Sequence, residues 1–295
     1  MKRRIVAALA AIVLGATALF GGASAATADG HVGAPYVAIG DSEAAGTGNM
    51  PYVDEDCRRS AKAYPVLVGD AVGAPVMSAA CAGATTSDVL GQAVLLGQTG
   101  VLGPATELVT ITAGVNNVGW QTVLPACSSA GTPEACAAAK AAAIAAIPGI
   151  VPAIAQLVGL VRTLAPGAAI VVTGYPPMFG TVTEMCSVGS SGGAPVKFTP
   201  QLAAEVNAGI DGINAAVAGG VSAYQAAFTA QFGAPDPGVE YADVTTAFDG
   251  HSLCDTGERW ISGLSSGKGT VHRGFHPNAA GQQAYASAVM AALAG

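Results

Sequence analysis

A serine that directly follows a short apolar run, with glycines on both sides, can present its hydroxyl at the edge of a sheet. Gly40-Asp41-Ser42-Glu43-Ala44-Ala45-Gly46 has this form, after Tyr36-Val37-Ala38-Ile39. Ser42 is therefore a candidate nucleophile, and its own amide points into the same space, as anion-binding helix starts do. Such a nucleophile needs a base, and Phe275-His276-Pro277-Asn278 offers one. Proline holds the residue before it extended and suits a helix start, so His276 can aim back at the strand ends. Negative charge developing on a substrate needs donors. Cys81-Ala82-Gly83-Ala84-Thr85-Thr86 places a glycine where backbone can approach a ligand, and Gly114-Val115-Asn116-Asn117 supplies a side-chain amide. Each segment also has an ordinary structural reading: a turn at Ser42, a tight bend at Gly83, a helix cap at Asn116. Together they supply a nucleophile, a base and oxyanion donors.

The elements around these loops place them at one edge. Continuous apolar runs at Tyr36–Ile39, Pro75–Ala79, Leu108–Thr112, Ala169–Thr173 and Val239–Asp243 read as strands, the last being the weakest. Helical patterns lie between them near 60–71, 86–97, 133–164 and 199–230, with a last helix near 278–293. This alternation predicts an α/β fold in which a parallel sheet of about five strands is covered on both faces. Ligands of such sheets bind beyond the carboxyl ends of the strands, where the four candidate loops fall. With no internal repeat and no polar linker, one domain over 33–295 is expected.

Composition narrows the function further. Of 295 residues, 51% are hydrophobic and 11% charged, which excludes intrinsic disorder. The net charge of −7, without basic clusters, disfavours nucleic acid and anionic membrane surfaces as partners. Lys2, Arg3 and Arg4, the apolar run Ile5–Phe20 and Ala23-Ser24-Ala25 read as a signal peptide over 1–25, with the mature chain starting at Ala26. Export makes the six cysteines, Cys57, Cys81, Cys127, Cys136, Cys186 and Cys254, candidates for three disulfides, and spacing alone leaves 15 connectivities open. Ala141 to Val161 carries no charge, but Pro148, Gly149, Pro152, Gln156 and Gly159 interrupt it. We read it as two helices that break near Ile147 and are buried against the sheet, with no stable membrane span once the signal is cleaved.

The succession Gly-Asp-Ser, Gly, Asn, His-Pro resembles the SGNH hydrolases, the GDSL-type esterases and lipases. The cysteines and the Cys81–Thr86 stretch are most similar to their secreted actinobacterial branch. The resemblance spans Gly40 to Gly281. It implies a flavodoxin-like three-layer α/β/α sandwich and a secreted or cell-wall-associated serine ester hydrolase. Ser42 would be its nucleophile and His276 its general base, and the amides of Ser42 and Gly83 with the Asn116 side chain would form the oxyanion hole. It also implies disulfides Cys57–Cys81, Cys127–Cys136 and Cys186–Cys254. No metal or cofactor is needed, the expected partner is a small-molecule or lipid ester, and a monomer is expected. Activity should fall in acid, because imidazolium cannot accept a proton. Fatty esters, phospholipids and acetylated sugars all suit this chemistry.

Three positions depart from the family pattern. Arg273 stands where many members carry Asp, so only its backbone carbonyl could orient His276. Asn117 replaces the Asp that follows the family's donor. Glu43 adjoins the nucleophile, where a carboxylate opposes an oxyanion unless its side chain faces solvent. The missing acid and Glu43 slightly favour the alternative of a catalytically silent SGNH-fold protein that binds a lipid or glycan; the retained Ser, Gly, Asn and His strongly favour the hydrolase. Other motifs carry less. Gly263-Leu264-Ser265-Ser266-Gly267 matches a nucleophile elbow by letters but lacks the strand and helix around it. Gly267-Lys268-Gly269-Thr270 lacks the first glycine of a P-loop. Asp249, His251 and Asp255 read as a solvated loop more readily than a metal site. His272 is expected at the surface. Asp41 is expected to brace the turn, and Trp120 or Trp260 to line an acyl pocket or pack in the core.

Overall fold

Strand β1 (Tyr36–Gly40) is buried at every position, and its side chains alternate between two cores. Val37 and Ile39 face one core, Tyr36 and Ala38 the other. The computed structural model describes residues 33–265 and 272–295. The leader read over 1–25 and the Gly267–Thr270 stretch lie outside the described residues, as does the end of the Gly263–Gly267 motif. Strands β2 (Val76–Ser78), β3 (Leu108–Thr112), β4 (Ala169–Thr173) and β5 (Val239–Ala242) join β1 in one parallel sheet of order β2-β1-β3-β4-β5. The chain leaves β1 for β2 on one side and returns to β3 on the other. That reversal opens a crevice beyond the carboxyl ends of β1 and β3.

Helices cover both faces, as the continuous apolar strands require. Helices α3 (Thr86–Gln98), α6 (Ile150–Leu164) and α7 (Pro200–Phe232) pack on the Val37 side. Helices α2 (Tyr64–Val72) and α8 (Ala279–Ala294) pack on the Tyr36 side. Local signals set the helix ends: Thr85 and Asp88 form a reciprocal capping box on α3, and Asn278 caps α8 through the Ala280 and Gly281 amides. The uncharged stretch divides as its prolines predict, but only its second helix is buried against the sheet: Cys136 is the one buried residue of the first. Helix α5 (Pro133–Ala146) ends in a 3₁₀ turn at Ile147–Gly149, and α6 then buries Ile150, Ile154, Leu157, Val158 and Val161 in one stripe. By length and composition alone, Pro133–Leu164 would suffice to cross a membrane. Two short elements complete the site's surroundings, α1 (Ser42–Ala45) and α4 (Trp120–Ala126).

Cys57 pairs with Cys81, Cys127 with Cys136 and Cys186 with Cys254, the three pairs the resemblance implies. The first ties the hairpin Tyr52–Asp54/Arg59–Ser60 to the loop after β2, and the last ties the hairpin Cys186–Ser191/Ala194–Phe198 to the loop before α8.

An ion pair between the buried Asp236 and the half-buried Arg162 holds the far edge of the sheet. Arg162 near the end of α6 donates from Nε and Nη2 to both oxygens of Asp236, at 2.7 and 3.1 Å, and from Nη1 to the carbonyl of Ala168 at 2.8 Å. Tyr224 adds a hydroxyl donor at 2.7 Å. Burial alone would raise the Asp236 pKa, but the Tyr224 hydroxyl, the Gly238 amide and Arg162 outweigh it and hold the carboxyl below its usual range. Asp236→Asn is expected to destabilise the fold by about 3 kcal/mol at neutral pH, because it leaves Arg162 without its counter-ion. A folded-state pKa below the unfolded value makes this contribution complete above the ordinary carboxylate range and lost as pH falls through the folded value. Denaturant melts of parent and variant should therefore differ at pH 7 and converge as pH falls below the ordinary carboxylate range.

Candidate active site

Gly40 ends β1 in a backbone conformation, φ +156°, that L side chains rarely adopt, and a Cβ there would lie 2.7 Å from the Thr112 carbonyl oxygen. The close approach of β1 to β3 lets the chain turn sharply into α1, whose first residue is Ser42. Asp41 caps this turn. Its Oδ1 accepts the Glu43 amide at 3.1 Å and its Oδ2 the Tyr175 hydroxyl at 2.6 Å; that hydroxyl accepts the Val115 amide at 3.2 Å. One buried carboxylate thus braces the loops after β1, β3 and β4. Burial pushes the Asp41 pKa well up, and the Glu43 charge adds to the effect. The hydrogen bonds from Tyr175 and the Glu43 amide oppose it.

Side-chain amides reinforce the same loops. Gln92 pairs with both backbone groups of Gly40, at 2.8 and 3.0 Å. Asn214 does the same for Tyr175, both at 2.8 Å, and Asn207 for Phe179, at 3.0 and 2.6 Å. Each clamp satisfies a donor and an acceptor that a buried loop would otherwise leave unpaired.

The structure brings the candidate residues together through named contacts. Gly83 has φ +84°, with no atom within 4 Å of where a Cβ would lie. Among the described residues, the amides of Ser42 and Gly83 have no protein acceptor. Asn116 is the second residue of the 3₁₀ turn after β3 and is buried. Its Oδ1 accepts from Trp120 Nε1 at 2.9 Å and Gln121 Nε2 at 2.7 Å, and its Nδ2 donates to the Ala84 carbonyl at 3.0 Å. This fixes the amide's orientation, ties it to the Gly83 loop, and leaves one N–H of Nδ2 to donate elsewhere. Asn117, which stands where the family carries Asp, accepts the Thr86 amide at 3.0 Å and donates to the Thr86 hydroxyl at 2.8 Å.

His276 is buried, and the Trp120 ring lies edge-on to it, with centroids 5.7 Å apart. Asn49 Nδ2 donates to the Pro277 carbonyl at 2.9 Å, and Gln282 Nε2 to the Glu43 carbonyl at 3.2 Å, so the histidine segment is pinned to the α1 segment. One sequence expectation requires correction here. The ring Nδ1 lies 2.9 Å from the Gly274 carbonyl oxygen, whereas the Arg273 carbonyl accepts the backbone amide of His276 at 3.1 Å. Between Gly274 and His276, Phe275 sits in the left-handed region, φ +66°, and this curl turns the nearer carbonyl toward the ring. Contacts with Trp120 and Phe198 hold Phe275 in that strained conformation. The condition under which Glu43 would not oppose an oxyanion, a side chain facing solvent, is not met. The side chain is buried and accepts the Ser42 hydroxyl at 3.0 Å.

A cavity of about 440 Å³ opens beside this cluster. Glu43, Trp120 and Phe275 line it together with Val118, Leu124, Ile144, Ile147 and Ile213, from the turn after β3 and from α4, α5 and α7. At its rim Lys140 of α5 pairs with Glu205 of α7 at 2.6 Å. Trp120 is thus a cavity residue. Trp260 is not among the lining residues and packs flat against His251 with ring centroids 3.5 Å apart. His251 Nδ1 lies 2.7 Å from the Glu258 carbonyl oxygen, and Asp255 accepts the Ser252 amide at 2.9 Å, the contacts of an ordinary loop. Among the described residues, no cluster of His, Cys, Asp and Glu is arranged to hold a metal ion.

Comparison with known proteins agrees with this geometry. Residues 38–284 match the GDSL-like Lipase/Acylhydrolase family. A lipase of Streptomyces rimosus is 35% identical over 286 residues, 96% of this chain and 95% of its own length. The crystal structure of the extracellular lipase from that organism superposes with a TM-score of 0.71 at 31% identity, covering 88% of this chain and 99% of the other. Phospholipase A1 from Streptomyces albidoflavus gives 0.70 at 30% identity, covering 87% and 98%. A match from β1 into α8, with relatives aligned over nearly their full length, makes this chain a member of the GDSL-like lipase/acylhydrolase family and an ester hydrolase.

Proposed function

We propose that this chain is an exported hydrolase of long-chain acyl esters that works through an acyl-enzyme on Ser42. The observation that carries this reading is the apolar cavity, whose lining includes Glu43 and Phe275, the immediate neighbours of Ser42 and His276. An acyl chain laid in it would bring its ester carbonyl to the crevice beyond β1 and β3.

His276 would take the Ser42 proton as Oγ attacks the carbonyl carbon. Its Nδ1 faces the Gly274 carbonyl, which favours the tautomer with the proton on Nδ1 and leaves Nε2 free to accept. The tetrahedral oxyanion would be met by the Ser42 and Gly83 amides and Asn116 Nδ2. The proton then passes from His276 to the leaving alcohol, and water repeats the sequence on the acyl-enzyme. Three disulfides and the leader over 1–25 support export. Lipid substrates are supported by the cavity and by the names of the Streptomyces relatives, an extracellular lipase and a phospholipase A1.

Exposure to a fluorophosphonate followed by intact mass and peptide mapping tests the reading. A single adduct on Ser42, with kcat/KM rising along a series of esters of increasing acyl length, is the expected result. A folded protein without the adduct would refute it. Asn116→Ala should lower kcat by about 10²–10³ with little change in KM, as expected of a donor that acts on the oxyanion alone. Equal loss in KM would place Asn116 in substrate binding instead.

A further inference from the structure

A serine hydroxyl carries one hydrogen, and here Ser42 gives it to Glu43 Oε2 at 3.0 Å. While that bond stands, the hydroxyl cannot donate to His276. A bond to a buried carboxylate is stronger than one between neutral groups. The Glu43 backbone is fixed at both ends: its amide donates to Asp41 Oδ1 at 3.1 Å, and its carbonyl accepts from Gln282 Nε2 at 3.2 Å and the Gly46 amide at 3.1 Å. Only the side chain is left to move. That side chain lines the apolar cavity beside Val115, Trp120, Tyr175 and Phe275, where an acyl chain would lie. Among the described residues, the titratable groups that feel its charge are Asp41, Tyr175 and Tyr285, none of which is cationic, and Lys140, which lines the same cavity, is paired with Glu205. Among the described residues, Glu43 therefore has no counter-ion to anchor it once an apolar chain fills its place.

We propose that Glu43 is a positioning residue that holds Ser42 in a resting rotamer, and that an acyl group filling the cavity displaces it and releases the hydroxyl to His276. The proposal rests on the acyl-enzyme reading above. It makes chain-length preference partly a matter of activation, since a short acyl group binds without reaching Glu43.

Phosphonylation rates of Ser42 with a methyl and a dodecyl fluorophosphonate separate the two ideas. In the parent, the dodecyl reagent should react faster. In Glu43→Leu, the methyl reagent should react about tenfold faster than in the parent, the equivalent of ~1.4 kcal/mol in barrier. The dodecyl rate should change by less than about twofold, because that chain already displaces the carboxylate. Glu43→Gln preserves size and should shift the methyl rate in the same direction by a smaller factor, which keeps the test open if the leucine variant does not fold. Methyl rates at or below the parent value in both variants, or equal acceleration of both reagents, would overturn the role of Glu43 while leaving Ser42 as nucleophile. No adduct on the parent would overturn both readings.

Discussion

Ser42→Ala is expected to fold, to take up no fluorophosphonate, and to hydrolyse esters at least about 10⁴-fold more slowly than the parent. The size of the loss follows from the order of events. Without Oγ there is no acyl-enzyme, and the remaining oxyanion donors can assist only direct attack by water. The fold should survive because Ser42 packs as the first residue of a four-residue helix whose turn is held by Asp41, Gly40 and Gln92. Its hydroxyl contributes one hydrogen bond, to Glu43. The near-UV spectrum and melting temperature of the variant show whether it has kept its packing. Turnover that survives the substitution would place the nucleophile elsewhere. Thr47, whose Oγ1 is buried without a partner among the described residues, would then be the next hydroxyl to replace.

Much of this frame is legible in the chain because parallel strands buried on both faces have no polar side to disguise them. Leu108–Thr112 and Ala169–Thr173 are continuous apolar or β-branched runs and coincide with β3 and β4. The stripe of α6 and the break before it follow from spacing and from Pro148. The hairpin Cys186–Ser191/Ala194–Phe198 is not legible in the sequence, since its glycines and serines give no alternation; it is held by a disulfide and by Phe198 against Phe179. The site divides in the same way. Ser42, Gly83, Asn116 and His276 stand in loops whose position follows from the strands before them or the helix after them. Gln92, Asn207 and Asn214, which clamp the loops at Gly40, Phe179 and Tyr175, are ordinary polar residues on helix faces. They act on backbone 28 to 52 positions away, and no local pattern marks them. The Glu43 rotamer was equally hidden, because adjacency in sequence does not say whether a side chain turns to solvent or back to its neighbour.

The orientation of His276 turned on a single backbone angle, and it sets the second large effect. His276→Ala is expected to lower kcat by about 10³-fold or more, the share of a general base that also protonates the leaving group. Arg273→Ala should stay within about threefold of the parent, an effect of the size that exposed substitutions away from the reacting atoms produce. The contrast has a structural cause. Arg273 supports the histidine only through its carbonyl, which accepts the His276 amide and is retained in alanine. The ring is held by the Gly274 carbonyl and flanked by Trp120, neither of which depends on the guanidinium. Steady-state rates of the two variants on one soluble ester decide the matter. An Arg273→Ala loss as deep as that of His276→Ala would mean that the guanidinium itself enters the reaction, in the place where many relatives carry an acid. A mild loss means that a backbone carbonyl suffices to orient the imidazole, and that the charge at position 273 is free to vary without cost to the proton transfer.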